Sequence, residues 1–181
     1  MQKDGDKVPI IQIDTRQQMK RKHHQIKEKY FTDSGWTVVH SKLIVGDYAL
    51  PSNMAVSVDT KKDCSELYQD LIQDHARFHN ECVLAKECGI QLIILVENKE
   101  GFKKPEDILQ WKNPQYFRYK KACRIAKANG KKPPRPPASN VQLLKIMHSM
   151  SRDYGVRFEF CSTQEAGPRI IELLTGGGED T

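Results

Sequence analysis

Two aspartates and a lysine set the terms for this chain: Asp47 in Gly46-Asp47-Tyr48, and Asp59 and Lys61 in Val58-Asp59-Thr60-Lys61. Gly46 has the backbone freedom that a turn needs, and Pro51-Ser52-Asn53 is turn chemistry. On either side, Tyr48-Ala49-Leu50 and Met54 through Val58 have strand content. The stretch from Tyr48 to Lys61 therefore reads as a β-hairpin that brings Asp47 near Asp59. Side chains two apart on a strand share a face, so Asp59 and Lys61 point the same way. Carboxylates held this close repel one another, and a divalent cation between them makes the arrangement favourable at neutral pH. Hard oxygen ligands suit Mg²⁺ or Mn²⁺. Such an ion polarises a phosphoryl oxygen and acidifies a water, which Lys61 can position or deprotonate. The chemistry within reach is phosphodiester hydrolysis. An Asp-x-Lys tripeptide is common by accident, however, and the same residues could be a turn aspartate beside a solvated strand face.

The elements around the motif narrow the choice. Val8 to Asp14 reads as a first strand, followed by a polar, basic helix from about Gln17 to Ser34 and a strand from Trp36 to Ser41. After the hairpin, Lys62-Asp63-Cys64-Ser65-Glu66 opens a long helix to Cys88, and Ile90 to Val96 is a nearly unbroken apolar run, the pattern of a strand buried on both faces. Ser139-Asn140 can cap a helix in which Leu143, Met147, Met150 and Tyr154 share a face. Val156 to Phe160 alternates as a last strand, and Ile170, Ile171 and Leu174 belong to a closing helix. The order of elements predicts a mixed sheet with helices on both sides, an α/β/α sandwich.

Asp14-Thr15-Arg16 at the end of a strand, then Leu43-Ile44-Val45-Gly46-Asp47-Tyr48, then Val58-Asp59-Thr60-Lys61 before a helix, closing on Ile93-Ile94-Leu95-Val96-Glu97, resembles the XPF-type structure-specific endonuclease domain. That family is part of the PD-(D/E)xK nuclease superfamily, and the likeness runs from about Val8 to Glu97. It implies a three-layer α/β/α restriction-endonuclease-like sandwich with a central mixed sheet, spanning residues 1–175 as one nuclease domain, with a flexible tail at 176–181. It implies Mg²⁺ or Mn²⁺ as cofactor, no organic cofactor, DNA as partner and a homodimer built on the last two helices. The metal ligands would be Asp47 and Asp59 with Asp14 in support, and the catalytic set Asp14, Asp47, Asp59 and Lys61. Glu97 matches a family position that could contribute, and Arg16 and Arg77 would contact the phosphate or the backbone. The implied activity is a Mg²⁺-dependent endodeoxyribonuclease acting at branched or single-strand/double-strand junctions. The alternatives are an inactive DNA-binding or recruitment module of the same fold, and a junction resolvase or sequence-specific nuclease. The chain departs from the family pattern in three places. Gln17 stands where a glutamate usually follows the arginine, Asp59-Thr60-Lys61 replaces glutamate-arginine-lysine, and Ser65 falls at the spacing of a later aspartate, with Glu66 beside it. Small stand-alone versions of the domain resemble those of bacteriophages and bacterial mobile elements.

Charge adds an independent indication. Among the 181 residues, Lys and Arg total 29 and Asp and Glu 23, yet Ile108 to Arg152 holds eleven basic residues and no acid. The rest of the chain has 18 basic against 23 acidic residues, so the positive potential is localised. Arg118, Lys120, Lys121, Arg124, Lys131, Lys132 and Arg135 are the candidate DNA-binding residues, in a basic, proline-rich insertion from about 101 to 139. Trp111, Tyr116, Phe117 and Tyr119 are interleaved with them, which suits a surface that meets phosphates and stacks an unpaired base. Lys131-Lys132-Pro133-Pro134-Arg135-Pro136-Pro137 cannot be helical and reads as an extended, semi-rigid arm. The five cysteines form no C-x-x-C pair, which argues for a reducing intracellular compartment and against a zinc ribbon; the resemblance implies the cytoplasm of a bacterial cell or host, with nucleoid association if the protein is DNA-bound. His75, His79 and Cys82 fall on one side of a helix but lack a fourth ligand, and Cys82 joins a buried stripe with Leu67, Leu71, Phe78 and Ala85. No run approaches a membrane span, and Met1 to Asp6 is too polar for a signal peptide.

Overall fold

Burial on both faces of the central strands fixes the architecture. The computed structural model describes residues 8–16 and 22–176. Its strands are β1 (Ile10–Asp14), β2 (Thr37–Ser41), β3 (Tyr48–Leu50), β4 (Asn53–Lys61), β5 (Gln91–Glu97) and β6 (Arg157–Cys161). They form one mixed sheet in the order β2-β1-β3-β4-β5-β6. β3 runs antiparallel to both β1 and β4, whereas β2 against β1, β5 against β4 and β6 against β5 are parallel. Along β5, Leu92, Ile94 and Val96 enter one core while Ile93 and Leu95 enter the other, which is why its sequence reads as continuous apolar rather than alternating.

Two helical layers cover the sheet. On one face, α2 (Cys64–Tyr68), α3 (His75–Glu87) and α5 (Asn140–Tyr154) contribute Leu67, Phe78, Cys82, Leu143 and Met147. On the other, α1 (Lys22–Asp33) and α6 (Ala166–Thr175) contribute Phe31, Ile170, Leu173 and Leu174. Each large apolar side chain buried this way is worth roughly 1.5–3 kcal/mol, so the two cores together hold the layers. Gly167 lets α1 and α6 approach, because a Cβ there would lie 2.7 Å from the ring of Tyr30. α5 starts as its sequence suggests: Ser139 Oγ accepts from Gln142 N–H at 3.2 Å, and Gln142 Oε1 accepts from Ser139 N–H at 2.7 Å. The fold is the expected three-layer α/β/α sandwich of restriction-endonuclease-like kind.

Two stretches differ from the sequence reading. The long helix from Lys62 to Cys88 is two helices joined by a π-helical turn, Gln69–Gln73, in which Asp74 N–H donates to Gln69 O at 2.9 Å. The extra residue of a π turn leaves Leu67, Leu71 and Phe78 in the core, so the apolar spacing gave no sign of it. The basic insertion holds no helix at Lys131 to Pro137, as expected, but is structured before it. It contains a 3-10 turn, Pro105–Gln110, docked through buried Ile108, and a complete helix, α4 (Pro114–Ala128). Asn113 starts α4 by accepting Gln115 N–H at 2.9 Å, with Pro114 in the first turn. Only the stretch after Gly130 is extended. The first helix is described from Lys22 to Asp33; Gln17 and the tail 177–181 lie outside the described residues.

Of the apolar side chains on the last two helices, Leu143, Met147, Ile170 and Leu174 pack inside this chain. Cys82 is buried in the core as expected, with His79 Nε2 2.6 Å from Tyr154 Oη and His75 Nδ1 3.1 Å from Leu71 O. No described helix is long and apolar enough to cross a membrane.

Candidate active site

Asp47, Asp59 and Lys61 meet at the carboxyl end of β4, and the backbone explains why. Gly46 has φ +72°, which L side chains rarely adopt, and a Cβ there would run into Ser57 Oγ. This close approach lets Asp47 N–H donate to Val58 O at 2.8 Å while Asp47 O accepts from Asp14 N–H at 2.8 Å. The turn is thereby fixed to β4 on one side and β1 on the other. Asp47 Oδ2 accepts from Thr60 N–H at 2.8 Å and from Thr60 Oγ1 at 2.9 Å.

Asp59 and Lys61 alternate with Val58 and Thr60 and face the layer of α2 and α3. Lys61 Nζ lies 2.7 Å from Asp59 Oδ2 and 2.6 Å from Asp70 Oδ2, and all three side chains are at most 8% exposed. Asp70 comes from the π turn, and its Oδ1 accepts from Arg77 Nη2 at 2.7 Å. Lys61 Nζ is the charged partner of the buried Asp59 Oδ2, which has no other polar partner among the described residues. Glu81, on α3, accepts from Gly46 N–H at 3.0 Å.

The charges act on one another strongly. Burial, and next the charge of Asp59, push the Asp47 carboxyl up to about 8. The same two causes raise Glu81. For Lys61, burial disfavours the ammonium, but Asp59, Asp70 and Asp47 outweigh it and its pKa rises. Burial also works to raise Asp14, where hydrogen bonds from Arg16 and Leu43 N–H prevail and hold it below the ordinary value. Arg16 forks onto that carboxylate, Nε to Oδ1 at 2.8 Å and Nη2 to Oδ2 at 2.9 Å, and Leu43 N–H donates to Oδ2 at 2.8 Å.

Together these groups line a cleft of about 600 Å³ that contains Asp14, Arg16, His23, His24, Asp47, Asp59, Lys61, Glu66, Asp70, Arg77 and Glu81. Six carboxylates against three lysine and arginine side chains make it acidic, a poor place for a phosphate unless a cation is added. No three described Asp, Glu, His or Cys side chains converge closely enough to hold an ion by themselves, and Lys61 sits between Asp59 and Asp70. The donor set nonetheless suits a hard divalent cation in kind. Its oxygens are carboxylate, the buried Asp59 Oδ2 meets only Lys61 among the described residues, and Asp47 and Glu81 both respond to the charge of Asp59.

The structure brings Asp14, Arg16, Asp47, Asp59, Lys61 and Arg77 to one cleft and leaves other expected residues outside it. Glu97 is on the opposite sheet face, where it forms a buried ion pair with Lys27 of α1. Arg118, Lys120, Lys121 and Arg124 are exposed on α4, and Lys131, Lys132 and Arg135 are exposed on the segment that returns from it. Sequence reasoning overlooked Asp70 and Glu81. Glu81 falls one helical turn beyond Arg77, a spacing that could have flagged it; Asp70 depends on the π turn and had no such signal.

The mixed sheet and its acidic cleft define a restriction-endonuclease-like fold. Two solved structures share it. XPF from Aeropyrum pernix superposes with a TM-score of 0.55 at 18% identity, covering 95% of this chain and 63% of that one. XPF from Aeropyrum pernix in complex with DNA gives 0.57 at 19% identity, covering 93% and 64%. This chain thus spans somewhat less than two thirds of the length of either. No protein-family profile matches the sequence, and no curated protein matches it.

Proposed function

We propose that this chain is a metal-dependent DNA endonuclease of XPF type that hydrolyses phosphodiesters near junctions of single and double strands. The observation that carries the reading is the convergence of Asp47, Asp59, Lys61, Asp70 and Glu81 in one acidic cleft, with the buried Oδ2 of Asp59 held only by Lys61 among the described residues. The fold is shared with XPF from Aeropyrum pernix, one structure of which is a complex with DNA. Asp47 and Asp59 would hold Mg²⁺ or Mn²⁺, with Glu81, which also feels the charge of Asp59, a further carboxylate of the cleft. A bound ion would neutralise the cleft and act as a Lewis acid on a phosphoryl oxygen. Lys61 orients the attacking water or stabilises charge developing on the phosphate. Asp14, with both oxygens engaged, serves by holding Arg16 in place. The guanidinium groups of Arg16 and Arg77 are 58% and 62% exposed and reach a phosphate at the cleft mouth.

A second reading has one observation in its favour. Lys61 is tied between Asp59 and Asp70, an arrangement that a non-catalytic DNA-binding module would keep indefinitely. Cleavage of labelled duplex, flap, fork and four-way junction DNA in Mg²⁺, Mn²⁺ or EDTA separates the two. Metal-dependent cutting that Asp59→Asn abolishes supports the nuclease and ranks its substrates, a preference for four-way junctions or a duplex sequence marking it as a resolvase or sequence-specific enzyme. Salt-sensitive binding without cutting in either metal supports the module.

A further inference from the structure

The excursion between Trp111 and Asn140 belongs to neither helical layer. α4 buries none of its side chains, and residues 112–139 contain nine lysines and arginines and no acid. The excursion is nevertheless firmly rooted. Asn140 Nδ2 donates to Trp111 O at 2.7 Å, Tyr68 Oη donates to Ala138 O at 3.4 Å, and the Tyr68 and Trp111 rings lie 6.0 Å apart. Tyr68 is the last residue of α2, immediately before the π turn that carries Asp70 into the cleft. The root of the arm is therefore held two residues along the chain from Asp70.

Its chemistry differs from that of a plain phosphate-binding surface. Gln115, Tyr119, Ala122, Cys123 and Ala126 are half-buried along one side of α4, so the opposite side faces solvent. There Phe117 and Ile125 are 64% and 53% exposed, with Arg118, Lys121 and Arg124 around them at helical spacing. An exposed ring gains nothing from phosphates, and duplex DNA hides the faces of its bases. A single strand offers both a charged backbone and open base faces. We infer that α4 is a single-strand-binding element, in which Phe117 stacks an unpaired base while Arg118, Lys121 and Arg124 meet the adjoining phosphates. This deepens the junction-nuclease reading, on which it rests for its role, by naming the element that grips the unpaired strand.

The test uses the whole chain in EDTA, where binding is read without cutting, so its outcome is separable from that of the cleavage reading. Fluorescence anisotropy follows a labelled oligothymidylate and a labelled blunt duplex. Phe117→Ala should weaken oligothymidylate binding roughly five- to a hundredfold, the scale of losing one stacked base, and leave duplex binding unchanged. Changing Arg118, Lys121 and Arg124 together to Gln should weaken binding and flatten its salt dependence. Equal loss for both DNAs, or no loss for either with Phe117→Ala, overturns the proposal. So does displacement of the oligothymidylate by polyglutamate as readily as by unlabelled oligothymidylate, which would make the arm a surface for acidic protein segments. Phe117 contributes nothing to the core, so an altered fold does not complicate the variant.

Discussion

The cleft and the arm both carry dense charge, but they hold it in opposite ways. At the end of β4, Asp59, Lys61 and Asp70 are nearly excluded from solvent and each is defined by the others. On α4 the lysines and arginines are exposed, of one sign, and without a buried side chain among them. Buried charges shift each other's proton affinity and must be matched for the fold to survive. Exposed charges of one sign act through a screened field and are nearly independent. The difference separates tasks: chemistry where protonation and position are coupled, and substrate capture where charge is additive and replaceable.

The strongest way to break the contrast between buried and exposed charge is through stability, tested at the buried Lys27–Glu97 pair on the sheet face opposite the cleft. Lys27→Met leaves Glu97 buried and unpaired and should lower the unfolding free energy by about 3–5 kcal/mol, whereas Lys120→Met on α4 should change it by no more than about 0.5 kcal/mol. Urea denaturation of the two variants measures both, and equal losses would erase the distinction. Next in size is Asp70→Asn, which frees Lys61 and Arg77 from their shared partner. The turnover number should fall roughly ten- to a hundredfold, as when a catalytic group is misplaced, with little change in KM. An effect confined to KM would assign Asp70 to binding.

Coupling gives a finer comparison. A double-mutant cycle of Asp59→Asn with Lys61→Met should show an interaction energy of roughly 0.5–3 kcal/mol in stability, while Lys121→Gln with Arg124→Gln should add in binding to within about 0.5 kcal/mol. The remaining comparison is in pH. Asp47 ionises near 3.8 in the unfolded chain and holds its proton to about 8 when folded. Between those values the folded state binds more protons, so without divalent cations stability falls as pH rises through that window. Asp47→Asn should flatten the fall, which thermal melts across the window in EDTA would reveal.

How far the sequence foretold this arrangement depended on whether a signal was local. The Asp47 turn was legible because glycine and proline mark turns chemically, and the shared face of Asp59 and Lys61 follows from strand geometry alone. β5 was legible from its apolar run, and α5 from its cap. Asp70 was not, because the π turn preserves the apolar spacing on either side while redirecting one side chain. Glu97 was placed near the site by its position at a strand end, but the parity of β5 turns it to the opposite face, toward Lys27. α4 was hidden by the absence of the apolar stripe that marks a packed helix, although Arg, Lys and Ala are all good helix formers.

The most direct test of the central claim is single-turnover cleavage of fork DNA in Mg²⁺, with wild-type and Lys61→Ala protein compared at equal bound fraction. If the cleft performs the chemistry and the arm holds the substrate, Lys61→Ala should bind as tightly as wild type and cut roughly a hundred- to a thousandfold more slowly. A Lys61→Ala protein that cuts bound DNA at the wild-type rate would contradict the assignment of this cleft as the site of hydrolysis.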